Sequence, residues 1–183
     1  MQVARSSLEC RLYIELHPCD CGCPVNDLHH RMVMRDNRLA ALYEATCAQC
    51  HGPIEYVFVL ADEIVAAEKF GGTQPSTIID AGQFMRESDR VAQSVVLSTR
   101  DPTHDARNLH SMARAIACLE EVMKWVPEPL EIVPADAFFT EHGKQFAARE
   151  PMRFRRSRLR ALLAAYQEKL FELRVKSQRS RSM

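Results

Sequence analysis

The 183-residue chain is 46% apolar and 26% charged, the balance of an ordinary globular protein, and its length suits one domain or a small one joined to a larger one. No apolar run approaches the roughly 18 residues that a membrane span needs, and the first nine residues lack the apolar segment of a secretory signal, so a cytoplasmic protein is expected. The net charge of zero hides an asymmetry: residues 1–62 carry 5 Lys/Arg against 8 Asp/Glu, residues 63–150 carry 9 against 14, and residues 151–183 carry 10 against 2. An acidic body bears a basic final segment.

In chain order, Leu8, Cys10, Leu12, Ile14 and Leu16 alternate, and this period of two predicts a strand over residues 8–16 that His17-Pro18 ends. A cysteine cluster follows, with Gly22 supplying the freedom of a tight turn. Residues 28–34 and 39–45 read as strands flanking an Asp36-Asn37 turn. Residues 54–60, rich in β-branched and aromatic side chains, form the clearest strand. Gly71-Gly72 and Pro75 mark residues 69–76 as a loop or linker.

Beyond that linker the pattern turns helical. Asp80 caps a helix from Ala81 to about Leu97, with a stripe of Phe84, Ser88, Val91 and Val95. Asp101-Pro102 starts a second helix to Val126, whose seam is Leu109, Met112, Ile116, Leu119, Met123 and Val126. Pro127 and Pro129 stop it. Residues 135–139 suggest one helical turn, Thr140 caps a short helix to about Arg149, and Ser157 caps a last helix striped by Leu159, Leu162, Leu163, Tyr166, Leu170 and Leu173. Residues 177–183 are expected to fray. The fold class is α+β: a small antiparallel β module, residues 1–68, followed by a three- or four-helix bundle, residues 77–183.

The chemistry concentrates in the cysteines. Five of the seven lie between Cys19 and Cys50, in a chain without an export signal, which favours metal binding over a disulfide framework. Cys10 and Cys118 stand apart and read as small buried hydrophobes. Cys47-Ala48-Gln49-Cys50 is a standard half-site for zinc. The first cluster offers Cys19, Cys21 and Cys23 for two places; Cys19 and Cys21 are preferred because Gly22 follows the second ligand, with Cys23 as the alternative. Four thiolates from two turns suit tetrahedral zinc. Over residues 8–60 the arrangement resembles a zinc ribbon, in which two knuckles at hairpin turns hold one structural zinc, although its first half is Cys-x-Cys where that pattern has Cys-x-x-Cys. Such a closed site contributes folding energy and no open coordination position. His17, His29 and His30 lie nearby and read as surface residues.

A second resemblance covers part of the same stretch. Cys47-Ala48-Gln49-Cys50-His51 is similar to the haem-attachment segment of c-type cytochromes, with His51 as axial ligand and Met85 or Met112 as candidates for the other. Haem attachment follows export, the next stretch is a strand, and the first cluster would be unused, so zinc is the preferred reading.

The densest basic run is Arg153, Arg155, Arg156, Arg158 and Arg160. Its functional reading is a phosphate-contacting patch for nucleic acid; the plainer one is an internal partner for the acidic body, because basic side chains at a helix start oppose the macrodipole. Asp80, Glu87 and Asp89 could serve acid–base chemistry, but no nucleophile, dinucleotide fingerprint or phosphate loop accompanies them. The leading expectation is a zinc-stabilised adaptor that binds another protein through its helical surface. A nucleic-acid-binding protein is the alternative, and an enzyme with a site between β module and helices the lesser one.

Overall fold

The computed structural model describes residues 2–62, 65, 66, 68–96 and 102–181, the last of these including residues 102, 103 and 179–181 as backbone only. The fold is mixed α/β, and the chain divides into two compact units, Met1–Ile79 and Asp80–Met183. The element order is β1 (Gln2–Ala4), α1 (Ser7–Leu16), β2 (His29–Arg35), β3 (Arg38–Thr46), β4 (Pro53–Leu60), α2 (Ala81–Gln93), α3 (Pro102–Lys124), α4 (Glu141–Arg149) and α5 (Arg156–Arg181), with short 3-10 turns at Ala135–Ala137 and Pro151–Phe154. Among the described residues no helix is long and apolar enough to cross a membrane.

The first unit is one four-stranded sheet in the order β1-β4-β3-β2. The strands β2, β3 and β4 form an antiparallel meander, while β1 lies parallel to β4 with Gln2 opposite Phe58. The β2–β3 connection is the two-residue turn expected from sequence: Asp36 and Asn37 both take positive φ, 47° and 60°, the left-handed pair that a tight hairpin demands and that Asp and Asn tolerate.

Residues 8–16 are a helix, not the strand the alternation predicts. Ser6 caps it, accepting the Glu9 N–H at 3.1 Å, and the Glu9 carboxylate accepts the Arg5 N–H at 2.6 Å. This is the Ser-x-x-Glu signature of a helix start. The alternation misled because α1 is buried on more than one side: Glu9, Cys10, Leu12 and Ile14 are all enclosed, so no clean 3.6-residue stripe survives. Tyr13 sets its ring edge-on to Phe58, centroids 5.5 Å apart, which ties α1 to the sheet. Burial of Phe58, Leu12 and Ile14 contributes roughly 1.5–3 kcal/mol for each side chain.

The stretch 69–76 is a loop, as its composition predicts, and it belongs to the first unit, which anchors it. Phe70 is buried and its carbonyl accepts the Ser6 hydroxyl at 2.8 Å. The Arg5 guanidinium donates to the Gln74 carbonyl, and a Cβ on Gly71 would fall inside that guanidinium. Ser76 Oγ accepts the N–H groups of Ile78 and Ile79.

Among its described residues the second unit holds four α-helices. The α2 helix starts at the Asp80 cap as expected but ends at Gln93, where the Ser94 hydroxyl takes the Val91 carbonyl at 2.7 Å and competes with helix continuation; Leu97 lies outside the described residues. So does Asp101, the expected cap of α3. The α3 seam packs as expected: Met112, Ile116 and Leu173 of α5 form a buried cluster joined by Val95, Leu109, Leu163, Tyr166 and Leu170. The α5 helix begins at Arg156, so Ser157 sits inside its first turn rather than capping it, and it runs through Ser177, which is buried, to Arg181 instead of fraying.

Candidate metal centre

The four preferred cysteines converge. One ligand atom from each of Cys19, Cys21, Cys47 and Cys50 lies within 4.8 Å of all the others. The Cys19 and Cys50 sulfurs stand 3.5 Å apart, as do those of Cys21 and Cys47. Four thiolates at the ~2.3 Å zinc–sulfur distance of a tetrahedral site sit about 3.8 Å from one another, so the donor set has the size of such a site. Cys23, the alternative ligand, is not in this group of four; its carbonyl accepts the Cys19 N–H at 3.1 Å and helps close the loop.

Two turns present these sulfurs. The second lies at the β3–β4 hairpin, beyond the last pair Thr46–Pro53. There Cys47 N–H donates to Gly52 O at 2.9 Å and His51 N–H returns to Cys47 O at 3.0 Å, with His51 at φ 58°. The first turn leaves helix α1, not a hairpin: Gly22, at φ 83°, donates to Cys19 O. The zinc-ribbon resemblance therefore describes the second turn and not the first, because residues 8–16 are helical.

Backbone geometry favours a thiolate at Cys47. The N–H of Cys50, and after it that of Gln49, point at its sulfur and lower its pKa to about 6. Cys19 likewise receives the Cys21 N–H, but the Cys50 sulfur and burial outweigh it and push the Cys19 thiol up to about 12. Crowded sulfurs resist a second negative charge, and a divalent cation removes that resistance.

The nearby histidines stand apart from the cluster. His17 ends α1, its Nδ1 2.7 Å from Tyr13 O and its ring stacked on Tyr13 at 3.9 Å. His29 and His30 lie exposed on β2, with the His30 ring 4.7 Å from that of Tyr43.

The arginine run does not form one patch. Arg153 makes two 2.7 Å hydrogen bonds to Asp89, reaches Glu150 at 3.4 Å and lies 5.6 Å over the Phe146 ring. Arg156 is buried, donating to Pro127 O at 2.5 Å and pairing with Glu128 at 3.3 Å; Arg160 meets the same Glu128 oxygen at 3.0 Å. Arg155 and Arg158 are exposed and, among the described residues, make no ion pair. The acidic candidates are similarly engaged: Asp80 is a helix cap, Glu87 is held by Arg90 and Arg114, and Asp89 by Arg153. The plainer expectation, an internal acidic partner for the basic run, holds for Arg153, Arg156 and Arg160; which carboxylate each meets is not legible in the sequence, because the partners lie up to 64 positions apart.

No family model matches the chain, and no curated protein or solved structure is detectably similar to it.

Proposed function

We propose that this chain is a zinc-stabilised interaction protein, an adaptor that acts through protein–protein contacts, with a structural zinc held by Cys19, Cys21, Cys47 and Cys50. The observation that carries the reading is the convergence of four sulfurs from two turns within 4.8 Å. Four thiolates close the coordination sphere, so the metal stabilises a scaffold and performs no chemistry. The engagement of Asp80, Glu87 and Asp89 in caps and ion pairs supports binding over catalysis. On the helices, Phe171, 67% exposed on α5, is the apolar side chain that a helical contact surface would use.

The test has two parts. Elemental analysis of the native protein should find one zinc per chain, and a stoichiometric protein partner should co-purify and be lost when the metal is stripped. Absence of metal together with unchanged melting of Cys47→Ser would overturn the zinc assignment, and a Soret band would favour the haem reading. The nucleic-acid alternative rests on Arg155 and Arg158, the two members of the arginine run without an ion pair among the described residues. It requires a salt-steep affinity for DNA or RNA that Arg155→Glu/Arg158→Glu abolishes.

A further inference from the structure

The outer edge of β2 carries no neighbouring strand among the described residues. Among the described residues β2 pairs only with β3 and closes the sheet order on that side. Six of its seven residues are exposed and Val33 is half-buried. The two-residue turn makes Arg35–Arg38 the hydrogen-bonded closing pair, so alternation turns the N–H and C=O groups of His30, Met32 and Met34 outward. The side chains of the same three residues share one face. On it Met32 is 43% exposed, Met34 63%, and Leu39, the cross-strand partner of Met34, 50%. A row of open backbone groups beside uncovered apolar side chains is a template for one more strand.

Charge identifies the occupant. The hairpin gathers Arg31, Arg35 and Arg38, three of the five Lys/Arg in residues 1–62, and β2 itself holds no Asp or Glu. Arg31 pairs with Glu44 at 2.9 Å. Arg35 and Arg38 face each other across the ladder, an unfavourable like-charge pair, and among the described residues neither has an ion pair. A second copy of the chain, pairing antiparallel on this edge with Met32 against Met32, would set Arg35 against His29 and Arg31 against Val33, and its β2 would bring no carboxylate to either arginine. A nucleic acid would satisfy the arginines but neither the outward backbone groups nor the methionines.

We propose that β2 accepts an extended acidic segment of a partner protein as a fifth strand, with carboxylates alternating with apolar residues, the former beside Arg31 and Arg35 and the latter over Met32 and Met34. This rests on the interaction reading above and names its surface. The metal site prepares the strand: the first cysteine turn leads through residues 24–28 into His29, and Cys47 directly follows the last residue of β3, so the cysteines fasten the open end of the hairpin while Asp36-Asn37 closes the other.

The test uses the full-length, zinc-loaded chain as bait for a displayed random-peptide library. Enriched sequences should alternate Asp or Glu with Val, Ile or Leu. A synthetic copy of one, followed by fluorescence anisotropy, should bind more weakly as salt is raised. Met32→Pro removes an outward N–H without touching the β2–β3 ladder; it should weaken binding at least tenfold with the melting temperature held, whereas Met32→Thr, which keeps the N–H, should retain most of the affinity. Acidic peptides whose binding ignores Met32→Pro, or responds only to Phe171→Ala, overturn the edge assignment and leave the interaction reading standing. Self-association through β2 in sedimentation, or a single-stranded oligonucleotide that competes for the edge, overturns the choice of occupant. A library that yields no binder on a zinc-loaded chain overturns the inference, and a chain that also captures no stoichiometric partner takes the interaction reading with it.

Discussion

The carboxylate of Asp80 binds the cap of a helix 60 residues away. One oxygen accepts the Gln83 N–H at 2.8 Å and caps α2, while the other accepts both the N–H and the hydroxyl of Thr140, at 2.8 and 2.6 Å. Thr140 in turn caps α4 through Gly143 N–H at 3.0 Å. The helices approach so closely there that a Cβ on Gly82 would lie 2.6 Å from Gly143 Cα, and one on Gly143 would overlap the Asp80 carboxylate. Removing the buried acceptor strands several donors, so Asp80→Ala should destabilise the protein by roughly 3–4 kcal/mol and Thr140→Ala by about 1–2 kcal/mol. A double-mutant cycle in denaturant should show the two losses strongly coupled; additive losses would mean the pair acts independently. Gly143→Ala should be as damaging as Asp80→Ala.

Removal of the metal should separate ligands from bystander. Cys47→Ser, and each of the matching changes at Cys19, Cys21 and Cys50, should abolish stoichiometric zinc and lower the melting temperature markedly, because binding free energy at a structural site is folding free energy. Cys23→Ser should retain full zinc. Loss of zinc in Cys23→Ser would assign the first cluster differently.

Thiol labelling should sort the seven cysteines into classes. Cys10 and Cys118 are fully buried. Burial pushes Cys10 up to about 12, and burial with the Glu87 charge pushes Cys118 well above the ordinary thiol value. Thiolate is the reactive form, so both should stay unlabelled by a disulfide reagent until denaturant is added. In zinc-loaded protein Cys23 should react first, and a chelator should expose the four ligands. Fast labelling of Cys118 in the native state would contradict the packing of α3.

Alkaline stability follows from the Cys10–Tyr43 contact. Burial raises the Cys10 thiol from 9.0 and the Tyr43 hydroxyl from 10.0, each to about 12. Both folded values exceed the unfolded ones, so the unfolded chain releases its protons first. Their contribution is whole below about pH 9 and is lost as pH rises toward 12. The denaturation midpoint should therefore fall across that window, and Tyr43→Phe should flatten the fall. An equal slope in Tyr43→Phe would place the titration elsewhere.

The arginines should separate by stability. Arg153 holds Asp89 with two hydrogen bonds, and Arg153→Ala should cost about 1–2 kcal/mol. Arg155→Ala and Arg158→Ala should change stability by less than about 0.5 kcal/mol. Comparable losses at all five positions would restore the picture of a single cooperative cluster.

The local signals in the sequence were legible where a few neighbouring residues decide the outcome. Asp36-Asn37, the Asp80 and Thr140 caps and the 54–60 strand are all of this kind, while the convergence of Cys19/Cys21 with Cys47/Cys50 across 26–31 positions was legible from the chemistry of two cysteine turns. Helix α1 was misread because burial on several sides erased its period, although Ser6 and Glu9 already spelled its start. The fate of the arginines depended on Asp89 and Glu128, which only tertiary packing brings near. The stretch 69–76 is the loop its composition says, and only its anchors, Arg5 and Ser6 at the far end of the unit's sequence, lay out of reach.

The parallel pairing of β1 with β4 joins the two strands of the sheet that are most distant in sequence. Gln2 and Phe58 are 56 positions apart and pair across the whole meander, and closing so long a loop costs on the order of 3–4 kcal/mol of chain entropy. A metal joining the turns at Cys19/Cys21 and Cys47/Cys50 would shorten the loop that β1 must close. A metal held there would speed folding as well as staple the fold: refolding with zinc present should be faster, with β1 amides the last in the sheet to gain protection from hydrogen exchange.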